Sequence, residues 1–136
     1  MLRGLATISY WVDDMTAAQD WYTELLGTEP YFARPIDGPP AYVEYRIGDF
    51  QAELGLIDRR YAPPGASTDP GGVIMYWHVD DLDKTLTKLY AMGATAHQPP
   101  TERGEGTGFV TAAVLDPWGN ILGVMYNPHY VEIAAR

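Results

Sequence analysis

Few side chains in this sequence of 136 residues can do chemistry, and those few are scattered. Cysteine is absent, which excludes disulfides, thiolate metal sites and cysteine nucleophiles. Neither serine, Ser9 or Ser67, sits in a nucleophile-elbow sequence. The histidines, His78, His97 and His129, show no short metal-type spacing. A Gly-rich stretch at 104–108 lacks the lysine of a phosphate-binding loop. Two groups remain. Glu53 is a lone carboxylate in an apolar run. It is either a polar anchor for a ligand amine or hydroxyl, a base if burial raises its pKa, or a solvated group at a mouth. His78 either hydrogen-bonds a ligand and shuttles a proton, or merely flanks a helix. No nucleophile–base–orienter set is visible, so no catalytic residue, metal ligand or cofactor is assigned.

What the chain does hold in quantity is aromatic surface: ten Tyr, four Trp and three Phe. Aromatic rings supply large contact areas in cores and binding pockets alike. Trp11 offers a stacking wall for a planar ligand, with packing as its alternative role. Tyr76 is mid-strand with a polar tip. Tyr42 and Phe109 are assigned to the same side of their strands as the ligand, and Met125 adds a compliant apolar wall. Trp118 sits in a turn that gives it no local structural reason. With the polar Thr7, Ser9, Glu53 and His78, these form the expected ligand-binding set.

The elements that position them come from a repeat. Trp11-Val12-Asp13-Asp14-Met15 returns as His78-Val79-Asp80-Asp81-Leu82, 67 residues further on. Each copy follows an apolar run and opens a helix-like stretch that ends at Gly27 or Gly93. An Asp caps each start and Gly suits a left-handed C-terminus. Strand-like runs at 5–12, 29–34, 41–47 and 50–57 surround the first helix. In the second copy, strands at 73–79, 94–98, 109–115 and 121–126 surround a helix at 81–92. The expected layout is a single domain, 1–136, with module one at 1–60 and a Pro- and Gly-rich linker at 61–72. Module two then spans 73–126, and 127–136 is a C-terminal tail packed on the surface or on a partner. Alternation along the strands puts Thr7, Ser9 and Trp11, then Ile74, Tyr76 and His78, on the face turned away from the helix. Both faces are expected to line a cleft.

This βαβββ repeat, with Leu26-Gly27 closing the first helix and Asp116-Pro117-Trp118-Gly119-Asn120 before an apolar strand, resembles the vicinal-oxygen-chelate superfamily. That superfamily contains glyoxalases, bleomycin-resistance proteins and extradiol dioxygenases. The resemblance implies an α+β fold: two βαβββ modules forming a curved, cup-shaped mixed sheet with helices outside. In metal-dependent members it also implies four ligand positions, which here read Thr7, Glu53, Ile74 and Gly123. A transition metal needs three or four N, O or S donors, and only Glu53 is a competent one. The resemblance is therefore nearest to the metal-free, antibiotic-binding branch, whose members sequester a drug as homodimers with shared pockets.

Charge narrows the partners. The net charge is −9, with nine Lys and Arg in all, which argues against nucleic acid. It suits neutral or cationic ligands. No apolar run approaches the roughly 20 residues of a membrane span, and cytoplasmic residence is the default. The expected function is sequestration of a bulky aromatic small molecule, an antibiotic that is cationic if the acidity bears on binding. The alternative is a glyoxalase-like lyase or isomerase, or a dioxygenase, with an atypical site using Glu53 or His78. A scaffold with an empty cleft is the third reading.

Overall fold

The computed structural model describes residues 1–136. Its contacts divide the chain into two units, Met1–Ala66 and Ser67–Arg136. In unit one, β1 (Thr7–Val12) leads into α1 (Met15–Leu26), followed by β2 (Phe32–Arg34), β3 (Tyr42–Ile47) and β4 (Ala52–Asp58), then a short 3₁₀ turn at Arg59–Tyr61. Unit two repeats the order: β5 (Tyr76–His78), α2 (Leu82–Ala91), β6 (Thr95–Glu102), β7 (Val110–Leu115) and β8 (Ile121–Tyr126). It adds α3 (Pro128–Ala134). No helix is long and apolar enough to cross a membrane.

Each unit carries its own four-stranded mixed sheet, in the order β1-β4-β3-β2 and β5-β8-β7-β6. The first and last strands of each unit pair in parallel and the rest antiparallel. This is the α+β, two-module fold expected from the repeat. The second aspartate of each repeated pair does the capping. Asp14 accepts from the Ala17 amide and Asp81 from the Lys84 amide, both at 3.0 Å. Gly27 closes α1 in the left-handed region at φ 69°, donating its amide to Thr23. The first aspartate of each pair turns elsewhere, Asp13 to Arg59 at 2.7 Å and Asp80 towards His78 at 3.5 Å.

One face of each sheet is the core. Tyr10, Val12, Val43, Tyr45, Leu54 and Leu56 are buried with Met15, Ala18 and Tyr22 of α1. In unit two Ala112, Val114, Leu122 and Val124 are buried, as are Leu86 and Leu89 of α2. Asp116 anchors the β7–β8 turn from a buried position. Its Oδ1 accepts from the amides of Trp118 and Asn120 at 2.9 and 2.8 Å, and its Oδ2 from the Asn120 side chain at 3.0 Å.

Several elements differ from expectation. The strand expected over 73–79 shrinks to Tyr76–His78, and that over 29–34 to Phe32–Arg34. Phe50, the first residue of the strand expected over 50–57, is exposed in the turn before β4. Strand β6 runs on through Pro99 and Pro100 to Glu102. It tolerates both prolines because it is an edge strand whose register slips between Gln98 and Thr101. The stretch expected to be a plain tail carries α3, capped by Asn127, whose Oδ1 accepts from the His129 amide, with Pro128 in the first turn.

Candidate functional site

The face of each sheet turned away from its helix holds the side chains expected to meet a ligand. In unit one the register sets them in rows. Thr7, Glu53 and Arg46 form one row, and Ser9, Gly55, Glu44 and Phe32 the next. Trp11, Ile57, Tyr42 and Arg34 form the third. Thr7 donates its hydroxyl hydrogen to Glu53 at 3.3 Å. Tyr42 donates to Glu44 at 2.9 Å, and Arg46 lies 3.5 Å from the other oxygen of the same carboxylate. The Arg34 guanidinium sits 4.1 Å above the Phe32 ring, which meets Tyr42 edge-on. Burial, the hydrogen bond to Glu44, and the charges of Glu44 and Glu53 push the Tyr42 phenol up to about 12. It is therefore a fixed hydrogen-bond donor at neutral pH.

Gly55 lies under Tyr42. A Cβ there would come within 2.9 Å of Tyr42 Cε2, 3.1 Å of its hydroxyl and 3.1 Å of Ser9 Oγ. The backbone needs no glycine at this extended position; the ring does.

In unit two, Tyr76, Gly123, Ala113 and Gln98 form a row across all four strands, and His78, Met125, Thr111 and Thr101 the next. Tyr76 donates to Gln98 at 3.1 Å, and Arg103 to Thr111 at 3.1 Å. His78 is not open to the solvent. Its side chain is 7% exposed, stacked on Tyr130 of α3 with ring centroids 4.7 Å apart and planes 17° apart. Its Nδ1 accepts from the Asn127 amide at 3.1 Å, which leaves the neutral ring's hydrogen on Nε2. That buried Nε2 makes no hydrogen bond; its nearest charged group is Asp80.

Thr7, Ser9, Trp11, Tyr42 and Glu53 thus share the open face of unit one, and Tyr76, His78 and Met125 the corresponding face of unit two, where α3 covers His78. Phe109 is half-buried just ahead of β7, and Trp118 is half-buried in the β7–β8 turn rather than on a sheet. His97 and His129 are exposed and stand apart in β6 and α3. The sequence-derived set omits Phe32, Arg34, Glu44, Arg46, Gln98 and Arg103. Phe32, Arg34 and Gln98 lie on the short β2 and the irregular β6, which lack a clear alternating pattern, whereas Glu44 and Arg46 share the Tyr42 face of β3 by simple alternation.

The positions at which metal-dependent relatives of the repeat would hold an ion do not fit one. Thr7 and Glu53 are adjacent but offer one carboxylate and one hydroxyl. Ile74 and Gly123 are adjacent too and offer no donor. No group of three or more His, Cys, Asp or Glu side chains is placed to hold a metal ion. Nor is there room for a side chain at 123, where a Cβ would lie 2.7 Å from Tyr76 Cδ1 and 2.9 Å from both Ile74 Cγ2 and the Met75 carbonyl oxygen.

Comparison with known proteins gives the same architecture. The family model described as Glyoxalase/Bleomycin resistance protein/Dioxygenase superfamily matches residues 4–124. A glyoxalase-related enzyme from Fulvimarina pelagi superposes with a TM-score of 0.70 at 21% identity, covering 93% of this chain and 90% of that one. A superfamily member from Sphaerobacter thermophilus gives 0.71 at 23% identity, covering 93% and 98%. Protein ATC0852 from Agrobacterium tumefaciens gives 0.71 at 23%, covering 92% and 98%. At such identities these likenesses show the fold. The comparison with curated proteins returned no match.

Proposed function

The chain belongs to the Glyoxalase/Bleomycin resistance protein/Dioxygenase superfamily, and within it we propose a metal-independent cytoplasmic protein that binds and sequesters a bulky aromatic small molecule, of the antibiotic-resistance type. One observation carries the reading. The four metal positions hold Thr7, Glu53, Ile74 and Gly123, a set with one carboxylate, and a tyrosine ring stands where a fourth side chain would have to go. Divalent transition metals require three or four donors. What is left on the two open faces is binding chemistry: rings, a few fixed hydrogen-bond donors and acceptors, and carboxylates.

Ligand class follows from those groups. Trp11, Phe32 and Tyr42 share their face with two carboxylates, Glu44 and Glu53, and two guanidiniums, Arg34 and Arg46, which favours a ring system bearing several hydrogen-bonding groups, with Glu53 the carboxylate that meets a donating or cationic one. Assembly as a homodimer belongs to the same reading. It is supported by the exposed apolar side chains Leu2, Leu5, Ile36 and Val73.

The test is a thermal-shift screen against aromatic and glycopeptide antibiotics, with and without divalent cations, followed by recovery of the ligand. A ligand at 100 times its dissociation constant stabilises the fold by about 2.7 kcal/mol. Saturable stabilisation that is indifferent to metal, with the ligand recovered unchanged, is the expected outcome. Stoichiometric metal in the purified protein, or turnover abolished by Glu53→Gln, would replace this reading with an enzymatic one.

A further inference from the structure

Glycine in the middle of a strand weakens it, and such a residue marks either a bulge or a close approach. Gly123 is in the middle of β8, in regular register with both neighbours, and its backbone is not in the left-handed region. The close approach is that of Tyr76, whose ring would meet any added Cβ at 2.7 Å. The phenol is directed along the row formed by Gly123 on β8 and Ala113 on β7, and its hydroxyl bonds Gln98 on β6. Neighbouring strands lie roughly 4.8 Å apart, so the two ends of this hydrogen-bonded pair start about 14 Å apart. Only a row of small residues between them lets the ring lie against the sheet. Gly123 and Ala113 are both buried, while Tyr76 itself remains half-exposed.

We propose that Tyr76, seated on Gly123 and Ala113 and tethered by Gln98, is a preformed stacking platform for a planar aromatic ligand within unit two. The inference rests on the sequestration reading above and deepens it by naming the ligand's shape and the ring that receives it. A ring seated on the sheet and tethered at its hydroxyl has little side-chain freedom left to lose, so less of the stacking energy is spent on ordering it. Gln98 keeps its amide hydrogens for a ligand acceptor at the platform's edge, since its Oε1 already takes the Tyr76 hydroxyl. Unit one supports the idea independently: Tyr42 lies over Gly55 in the same way, tethered by Glu44.

The experiment is fluorescence titration of the full chain with proflavine, a flat cationic dye, and with adamantylamine, a cation of similar bulk and no plane, as competitor. Tyr76→Leu should weaken proflavine about five- to tenfold, the value of one aromatic pair, and leave adamantylamine unchanged. Tyr76→Phe keeps the ring and should stay within about twofold. Gly123→Ala adds nothing a ligand could touch, yet lifts the ring, and should behave like Tyr76→Leu; Gln98→Leu, which frees the hydroxyl, covers the case in which Gly123→Ala fails to fold and should weaken proflavine about twofold to fivefold. Bound-dye protons should shift upfield in the wild type and lose that shift in Tyr76→Leu. Proflavine binding that Tyr76→Leu leaves intact would overturn the platform while sparing the sequestration reading. A wild-type chain that binds no flat dye or aromatic drug would overturn both.

Discussion

Replacing His78 with alanine should release α3 without unfolding unit two. The helix has seven residues, too few to stand alone in water. Its first turn is tied to the sheet by the Asn127 amide on His78 Nδ1 and by Tyr130 stacked on the imidazole. A neutral hydrogen bond contributes about 1 kcal/mol and an aromatic stack about another. Together they hold α3 docked by about 2 kcal/mol, a factor of roughly 30 in the closed-to-open ratio. Amide hydrogen exchange reads this directly at Val131 and Ala135, whose amides donate to Asn127 and Val131 within the helix. Both should exchange roughly 30-fold faster in His78→Ala, and at least about fivefold faster in Tyr130→Ala, which removes the stack and keeps the Asn127 hydrogen bond. Leu122 and Val124, in the core strand, should keep their protection. If Val131 and Ala135 exchange at the wild-type rate while β8 loosens, His78 is a core residue and α3 is held by something else.

Three further outcomes follow from particular contacts. The Tyr42 phenol, pushed from 10.0 to about 12, holds its proton more tightly in the folded chain than in the unfolded one; its contribution to stability is full below pH 10 and is lost as pH climbs through 12. Glu44→Gln removes the neighbouring charge, so the Tyr42 titration followed by carbon-13 NMR of the ring should move back towards 10, and an unmoved titration would disprove the Glu44 link. Asp116→Ala strips three hydrogen bonds from a buried carboxylate and should cost about 3 kcal/mol in urea unfolding, with Asp116→Asn losing less. Asp14→Ala and Asp81→Ala each remove an N-cap and should cost about 1 kcal/mol, adding in the double variant because the caps share no partner; strong non-additivity would mean that the two helices are coupled.

The parts of this fold that short-range chemistry decides were legible in the residues. An aspartate cap from each Asp-Asp pair, Gly27 as a left-handed stop and Asp116–Asn120 as a tight turn each depend on neighbours within four positions, though which aspartate of the pair caps, Asp14 and Asp81, only the structure decides. The faces of β1 and β4 followed from alternation, so Thr7, Trp11 and Glu53 were placed by parity alone. What escaped depends on distant partners. Asn127-Pro128 reads equally as a turn or as a capped helix start, and α3 exists because His78, 49 residues earlier, receives it. The run 73–75 has strand-forming residues, but it joins the sheet only at its end, where the Met75 carbonyl accepts from the Gly123 amide. Gln98 gains its role only from register, which slips twice along β6.

Register also bears on the argument against a metal. Thr7 pairs with Glu53 and Ser9 with Gly55 in unit one. Ser9 and Tyr76 are repeat mates, and Tyr76 pairs with Gly123. The structural mate of Gly123 is therefore Gly55, and the mate of Glu53 lies two places earlier in β8, at Ile121. Neither 121 nor 123 supplies a metal ligand. Gly123 has no donor and no space for one, and Ile121 is an apolar, buried side chain. Each glycine of the pair instead carries a tyrosine, taken from β3 in unit one and from β5 in unit two. The same vacancy in the two sheets is filled by the same ring from different strands, so the common element is the space above glycine.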